Sequence, residues 1–400
     1  MNDLIELREK VQITVSNNHN NEPHSSTKYT VLPSSSDASN ITSDKVNPKI
    51  NPSRWNTLEF YCYYLVFIIC VPMMFKIAID LSKDSHPNYP LYARRLQKGW
   101  IFGRKVDNSD AQFASLRNNY PILTIALVGY LTLSHIYRLL FIPKPPIKQP
   151  SQHLRRAYFF LGFALIFLLI AAVLCMELML HYVYVVAISQ SRAWIGYTPA
   201  QLSMIGYFNL KLIWLKLLII WRFFRFWAMA DGIEVYENMT RCMSNNYSPQ
   251  GFWRSWHRSF NLWNIRYIYI PLGGSKHQTI NILIVFTFVA LWHDISLRLL
   301  AWSWLIWLFI LPENFAQTIF SAKKWNESPY YRHICAAGGV FNILMMMFAN
   351  LVGFSVGLDG IKDLLTQIFL TVDAIFVAVQ VMFEIREEEA RRNIHTKGRD

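Results

Sequence analysis

Long apolar runs, separated by polar stretches, dominate the chain after about residue 55. A helix needs about 20 mostly apolar residues to cross a bilayer, so each run of this length predicts a spanning helix. About eight such runs are present, near residues 60–79, 121–142, 158–188, 204–228, 279–296, 299–320, 334–356 and 366–384. The pattern predicts an all-α polytopic membrane protein, a bundle with about eight spanning or interfacial helices.

Two of the runs depart from the simple spanning pattern. The run 158–188 is longer than one bilayer crossing and contains Glu177 and His181, four positions apart. We expect this run to tilt or to extend into the headgroup region, and the pair to serve structure, with a proton relay as the alternative. The run 204–228 has basic residues between tryptophans, which predicts a partly interfacial helix. Its basic residues are Lys211, Lys216, Arg222 and Arg225.

Changes in composition divide the chain into five segments. Residues 1–55 are polar and rich in Ser, Asn and Thr, which predicts a disordered tail without a signal peptide. Residues 56–142 contain the first membrane helices and their connecting loop, and the prolines in 143–156 predict a linker. The main membrane domain is expected over 157–384, followed by a charged tail at 385–400.

Composition and charge support a membrane location and favour an anionic partner other than nucleic acid. Hydrophobic residues make up 53% of the chain and charged residues only 16%, whereas soluble proteins carry about 25% charged residues. The net charge of +13 suits contact with the anionic headgroups of membrane lipids or with a polyanionic substrate. No nucleic-acid partner is expected, because the basic residues lie between apolar runs instead of on one soluble face. The spacing of the five cysteines predicts neither a disulfide framework nor a zinc site.

The stretch with the clearest chemistry is Phe252–Lys276, with the sequence FWRSWHRSFNLWNIRYIYIPLGGSK. It belongs to a longer segment, 238–292, that contains no Asp or Glu and therefore suits an anionic ligand. Its aromatic residues recur at helical spacing, which predicts one helix over 252–268 with His257 on or beside the apolar stripe. The stripe consists of Trp253, Trp256, Phe260 and Trp263, while Arg254 and Arg258 face together. The alternative is an interfacial helix that binds lipid phosphate.

A second histidine follows the next apolar run. Ile280–Trp292 predicts a membrane helix, and His293 and Asp294 come directly after it. An ionisable side chain at membrane depth costs about 2.5–3.5 kcal/mol on insertion scales, so such a residue is by default a candidate for function. Two histidines in consecutive membrane-associated elements therefore indicate one site, in which Asp294 would cap or orient His293.

These two motifs resemble the signature of the membrane-bound O-acyltransferase (MBOAT) family. WRSWHRSFNLWNIRYIYIPLGGSK and the later FVALWHD are most similar to the fungal glycerol-uptake branch, to which the Hedgehog acyltransferases are related. Three further segments also resemble that branch, namely GWIFGRKVDNSD, FNLKLIWLKLLIIWRFFRFWAMADGI and FEIREEE. The resemblance implies an MBOAT-like helical bundle with its catalytic domain over 157–384.

The resemblance also implies roles for individual residues. His293 matches the family's intramembrane catalytic base, and His257 matches a second catalytic position that would hold the acceptor or polarise the thioester carbonyl. Substrate contacts are implied for Trp253, Arg254, Arg258, Asn261, Arg266, Tyr267 and Lys276. The basic members of this set are candidates to contact CoA phosphates. Cys242 falls where the Hedgehog acyltransferase has a haem-ligating cysteine, with a free thiol as the alternative, and no metal or other cofactor is required.

The function implied is transfer of a long acyl chain from acyl-CoA to a hydroxyl of a lipid acceptor. In the fungal branch the acceptor is the lipid of a glycosylphosphatidylinositol (GPI) anchor, remodelled in the endoplasmic reticulum. The resemblance therefore implies a multi-pass protein of that membrane, with the plasma membrane as the alternative. A glycerol-transport protein and a non-catalytic membrane regulator are the competing functions.

Compared with that branch, the chain lacks a central block. The Pro-rich join at 143–152 lies where several more helices would be expected. A divergent short member of the family and an error in the coding sequence both explain the gap. In a true short form, part of the scaffold around the acyl-binding chamber is missing.

Overall fold

A computed structural model provides the structure of the chain. It describes residues 57–141, 152–233, 235–325, 328, 330–354 and 379–386. The expected tails, most of the Pro-rich linker and most of the last apolar run, 366–384, lie outside these residues.

The described residues are almost entirely helical. The helices are α1 (Leu58–Leu81), α2 (Tyr89–Tyr92), α3 (Ala111–Asn118), α4 (Tyr120–Phe141), α5 (Gln152–Tyr182), α6 (Val185–Gln190), α7 (Pro199–Ala230), α8 (Pro249–Ser255), α9 (Arg258–Asn264), α10 (Gln278–His293), α11 (Leu297–Ile319), α12 (Ala322–Trp325) and α13 (Tyr331–Phe354). Residues 379–386 are also helical. Single turns of 3-10 helix cover Ala93–Arg95 and Gly274–His277, and a π-helical turn covers Ile265–Tyr269. Strands β1 (Leu96–Lys98) and β2 (Lys105–Asp107) form an antiparallel hairpin.

Within the described residues, six helices are long and apolar enough to cross a membrane. They are α1, α4, α11, α13, residues Gly162–Tyr182 of α5 and residues Ala200–Ala230 of α7. This confirms the prediction of a polytopic all-α membrane protein. The run 279–296 forms α10, which has only 16 residues and is about 24 Å long. Because the hydrocarbon core is about 30 Å thick, α10 is too short to cross it unaided.

The long run 158–188 forms two helices instead of one extended helix. α5 ends at Tyr182 and α6 starts at Val185. Outside partners replace the helical hydrogen bonds at this break, because the Tyr184 N–H donates to Ser82 Oγ at 2.8 Å and the Ala187 N–H donates to Asp107 Oδ2 at 2.9 Å. A hydropathy window cannot detect this break, because the residues around it are as apolar as the helix itself.

The β1–β2 hairpin is joined to α5 through Glu177. Arg117 donates to both carboxylate oxygens of Glu177, at 2.6 and 2.9 Å, and Trp100 Nε1 donates to the second oxygen at 2.9 Å. His181 Nδ1 contacts the backbone oxygen of Glu177 at 2.7 Å and lies 3.8 Å from its carboxylate. The expected structural role of this pair is supported, although Glu177 pairs with Arg117 and not chiefly with His181.

Replacing Glu177 with Gln is expected to destabilise the fold without removing catalysis. Gln cannot form the bidentate ion pair, so a half-buried Arg117 guanidinium loses its partner, at a cost of about 1.5–3 kcal/mol. Thermal unfolding in detergent should show a lower Tm, with activity per folded molecule retained. Asp80→Asn is the matched control, because Asp80 pairs with Lys76 and Lys83 at the surface and such pairs contribute about 0–1 kcal/mol. Equal Tm losses in both variants would contradict this assignment.

Helices α10, α11 and α13 pack around Trp302 in a hydrophobic core. Trp302 is 1% exposed, and its indole Nε1 donates to Asn350 Oδ1 at 3.1 Å. Gly353 allows this close packing, since a Cβ there would lie 2.7 Å from Trp302 Cγ. The other members of this core are Phe286, Ala290, Leu299, Ile306, Ile310 and Ala349.

Candidate active site

The signature segment is not one helix, so the prediction of a continuous helix over 252–268 is wrong. Helix α8 ends at Ser255, and Trp256 is extended, with φ −85° and ψ 127°. His257 is left-handed, with φ 45° and ψ 56°, and α9 starts at Arg258. The aromatic spacing is compatible with one helix, but hydrogen bonds from outside the segment favour the break.

One of these outside contacts comes from Asn238. Its backbone oxygen accepts from the Arg258 N–H at 3.0 Å, and its side-chain Oδ1 accepts from the Ser259 N–H at 2.9 Å. The first N–H groups of a helix have no partner within it, so Asn238 satisfies two unpaired donors of α9. The Asn238 side chain is thus engaged in the fold.

The other outside contact comes from Glu313 of α11, whose carboxylate accepts hydrogen bonds from residues at the start of α8. Ser248 Oγ, which caps α8 by accepting from the Gly251 N–H at 3.0 Å, donates to Glu313 Oε1. The Gln250 N–H donates to Glu313 Oε2 at 3.3 Å. Glu313 is only 6% exposed, and these donors allow a carboxylate to be buried there. The signature is therefore fixed from both sides, by Asn238 and by Glu313.

The break determines the hydrogen-bonding role of His257. Its Nδ1 accepts from the Phe260 N–H at 3.2 Å, so the side chain caps α9. A neutral imidazole that accepts at Nδ1 carries its proton at Nε2. Burial lowers the pKa of His257 below its usual value of 6.5, which favours this neutral form at pH 7. His257 consequently offers an N–H donor at its free nitrogen.

His293 is the last residue of α10, at the junction of three aromatic rings. Its ring centroid lies 4.9 Å from that of Trp292, 5.8 Å from Trp302 and 6.1 Å from Phe354. The helix ends directly afterwards, because Asp294 is extended, with φ −176° and ψ 151°. The imidazole is thus held between α10, α11 and α13.

The two histidines share one aromatic neighbour. The ring of Trp292 lies 4.9 Å from His293 and 6.5 Å from His257, and it stacks on Phe260 at 4.4 Å. On the other side of His293, the ring of Trp302 is 5.8 Å from Trp253. The fold therefore brings both predicted histidines and Trp253 to one site.

This site is open on one side. His293 is exposed, and Trp292 has 52% of its surface accessible. The two apolar residues that follow, Ile295 and Leu297, are 87% and 81% exposed. A base that must abstract a proton in a water-poor chamber would need this side covered by lipid or protein.

The remaining predicted site residues lie at different distances from the histidines. Arg258 and Asn261 are on α9 and half-buried, while Arg254 on α8 is exposed. Arg266 and Tyr267 are exposed on the π-helical turn. Lys276 is exposed near the N-terminus of α10, about 24 Å along the helix from His293. Arg258 and Asn261 thus lie on the helix that begins directly after His257, whereas Lys276 lies beyond the end of α10 opposite to His293.

Cys242 is exposed, in the loop between α7 and α8. A single thiolate can be an axial haem ligand, so an accessible thiol fits that chemistry at one position. Its role as a haem ligand stays a prediction. In the described part of the chain, no group of three or more His, Cys, Asp or Glu residues is arranged to hold a metal ion.

Several residues that build the site were not identified from the sequence. Trp292, Trp302 and Trp221 contact the histidine rings, and Glu313 and Asn238 position the signature. One signal was available for Glu313, since it is an ionisable residue within an apolar run. No sequence signal distinguished these tryptophans from the others, because aromatic residues occur throughout the membrane runs.

Comparisons with known proteins identify the family to which the chain is similar. Residues 130–357 match the model of the membrane-bound O-acyltransferase family. The chain is 35% identical to the membrane-bound O-acyltransferase GUP1 of Saccharomyces cerevisiae, over 86% of this chain and 94% of that protein. It is 54% identical to the GUP1 protein of Millerozyma farinosa, over 61% of this chain and 49% of that protein. The mouse protein-cysteine N-palmitoyltransferase HHAT is 28% identical, over 48% of this chain and 41% of HHAT.

The alignment with the Saccharomyces protein extends over 528 positions, although this chain has only 400 residues. The alignment must therefore contain long gaps in this chain, as the predicted loss of an internal block requires. The Pro-rich join proposed as the place of that loss is largely outside the described residues. The open side of the histidine site is consistent with a smaller scaffold.

Proposed function

The chain belongs to the membrane-bound O-acyltransferase family, and on that premise we propose that it transfers a long acyl chain from acyl-CoA to a lipid hydroxyl. The observation that carries the proposal is the meeting of His257 and His293 at the ring of Trp292. Two imidazoles at one site can divide the work of a base and a hydrogen-bond donor. We assign the base to His293 and the donor to His257.

In the proposed reaction, His293 removes the proton of the acceptor hydroxyl as its oxygen attacks the thioester carbonyl. The carbonyl oxygen becomes an oxyanion, which the Nε2–H of His257 stabilises. The intermediate then collapses, the carbon–sulfur bond breaks, and His293 gives the proton that it removed to the departing CoA sulfur. An ester and free CoA result, without a change of oxidation state.

We propose the lipid of a GPI anchor, in a lyso form, as the acceptor, and the endoplasmic reticulum membrane as the location. The similarity to GUP1 proteins supports this choice, whereas the residues of the site specify only a hydroxyl beside a thioester. The decisive experiment is lipid analysis of cells without the protein, before and after this coding sequence is restored. Return of a missing acylated lipid supports the enzyme. Unaltered lipids in the deletion strain would reject it, and altered glycerol uptake alone would favour the transport function.

A non-catalytic membrane regulator is the second candidate function. The exposure of His293 and Trp292 favours it, because a general base that the protein leaves uncovered lacks the preorganised surroundings that make it efficient. A regulator would keep its effect on cells when His293 is replaced, whereas an enzyme would not.

A further inference from the structure

A short strap, residues 235–240, forms hydrogen bonds to both sides of the break in the signature segment. On the α8 side, the Thr240 N–H donates to the backbone oxygen of Ser255 at 3.3 Å. On the α9 side, Asn238 accepts from the first two N–H groups of the helix, at 3.0 and 2.9 Å. The strap therefore holds the end of α8 and the start of α9, between which His257 lies.

The strap takes the place of one specific helical hydrogen bond. In a continuous helix the Ser259 N–H would donate to the backbone oxygen of Ser255, four residues earlier. In the structure the Thr240 N–H donates to that oxygen, and Asn238 Oδ1 accepts from that N–H. The break is therefore stabilised against the continuous helix that the aromatic spacing of the signature would allow.

The break also determines where the imidazole of His257 lies. Its Nδ1 accepts from the Phe260 N–H at 3.2 Å, at the same helix end that Asn238 caps. In a continuous helix the Phe260 N–H would donate to the Trp256 backbone oxygen instead, and the imidazole would lose this bond. The position of the imidazole thus depends on the start of α9 that Asn238 holds.

The strap is itself tied to α7. Arg225 donates from Nη1 to Glu237 Oε2 at 2.7 Å and from Nε to the backbone oxygen of Val235 at 3.4 Å. On the same helix, the ring centroid of Trp221 lies 4.8 Å from that of His257. Helix α7 therefore supports His257 directly, through Trp221, and also through the strap.

We propose that Asn238 is a positioning residue for His257, because its side chain holds the break that orients the imidazole. The proposal rests on the acyltransferase function proposed above, in which His257 stabilises the oxyanion. A misplacement of about 1 Å can lower a catalysed rate about 10²-fold, so loss of Asn238 Oδ1 should reach catalysis through His257 without any contact with substrate.

The first experiment compares Asn238→Ala with Asn238→Asp in nanodiscs, with acyl transfer normalised to folded protein. Ala removes the acceptor for the Ser259 N–H, whereas Asp keeps an acceptor oxygen, and its charge is favourable at a helix N-terminus. Asn238→Ala should lower kcat about tenfold to a hundredfold with KM changed less than about twofold. Asn238→Asp should keep at least about half of kcat. Full kcat in folded Asn238→Ala, or equal losses in both variants, would overturn the proposal.

Two controls accompany this comparison. Asn238, Met239 and Thr240 form an N-x-T glycosylation sequence, and both substitutions remove it, so loss of a glycan would affect the two variants alike. Asn118→Ala changes an exposed asparagine at the end of α3 and should match the unaltered chain.

The second experiment tests whether Asn238 acts through His257. The double variant Asn238→Ala/His257→Ala should have the kcat of His257→Ala alone, because a misplaced group that is already absent cannot be lost again. If the two losses multiplied instead, Asn238 would act independently of His257, and the proposal would be overturned.

A third measurement does not depend on activity. Hydrogen exchange of residues 256–262, followed by mass spectrometry, should be about fivefold faster in Asn238→Ala, since the Ser259 N–H loses its acceptor. Exchange in α11 should not change, and Asn238→Asp should match the unaltered chain. Unchanged exchange in 256–262 would overturn the proposal even where acyl transfer is observed. Exchange that depends on Asn238, in an unaltered chain without acyl transfer, would reject the proposed function and keep the positioning of His257.

Discussion

Replacing His293 with Ala is expected to lower the rate of acyl transfer by about 10²–10⁴, because this is the usual contribution of a general base. Protein level and membrane insertion should not change. The imidazole contacts aromatic rings at the end of α10, but the residue is exposed and does not fill the core. The measurement is transfer of a labelled acyl chain from acyl-CoA to membrane lipid, normalised to folded protein.

The matched control for this prediction is His333→Ala. His333 is an exposed histidine near the start of α13. The His333→Ala variant should retain the full rate of acyl transfer. Any decrease in this variant would measure the general effect of removing a histidine. If the His293 variant also retained a near-normal rate, His293 would not be the base. A deletion strain rescued by that variant would then favour the regulator.

The second large effect is expected at His257, where Ala and Asn should differ. Ala removes the donor to the oxyanion, for which a loss of about 10²–10³ in rate is typical, and it removes the cap of α9. Asn keeps both functions, since its Oδ1 can accept from the Phe260 N–H while its amide donates. Asn also tolerates the left-handed backbone of this position better than most residues. His257→Asn should therefore keep at least ten times the activity of His257→Ala.

The pH dependence of thermal unfolding independently tests the capping role of His257. The pKa of His257 is lowered in the folded chain, so the unfolded chain binds more protons near pH 6.5 and the free energy of unfolding falls as the pH decreases below that value. Protonation of Nδ1 would also remove the acceptor for the Phe260 N–H. The Tm of the unaltered chain should thus fall more steeply below pH 6.5 than that of His257→Asn. Parallel pH profiles would contradict the capping role, and equal activities of the Ala and Asn variants would contradict the donor role.

Most of the membrane architecture could be predicted, because the length of an apolar run determines whether a helix can cross a bilayer. Six of the eight runs form helices of spanning length. The break at the end of the run 158–188 could not be predicted in this way. Where a helix ends depends on hydrogen-bond partners such as Ser82 Oγ and Asp107 Oδ2, which are distant in sequence.

The sequence by itself determined the membrane class and selected both histidines as candidate site residues. The length of an apolar run and the presence of an ionisable residue within or beside it are local properties of a chain. Only the tertiary structure decided that His257 is left-handed and accepts a hydrogen bond at Nδ1, since Asn238 and Glu313 fix the helices on either side of the break. It also decided which aromatic rings surround that histidine. Trp221 belongs to α7, and its ring lies 4.8 Å from that of His257. Such contacts join residues far apart in the chain, so no local pattern can encode them.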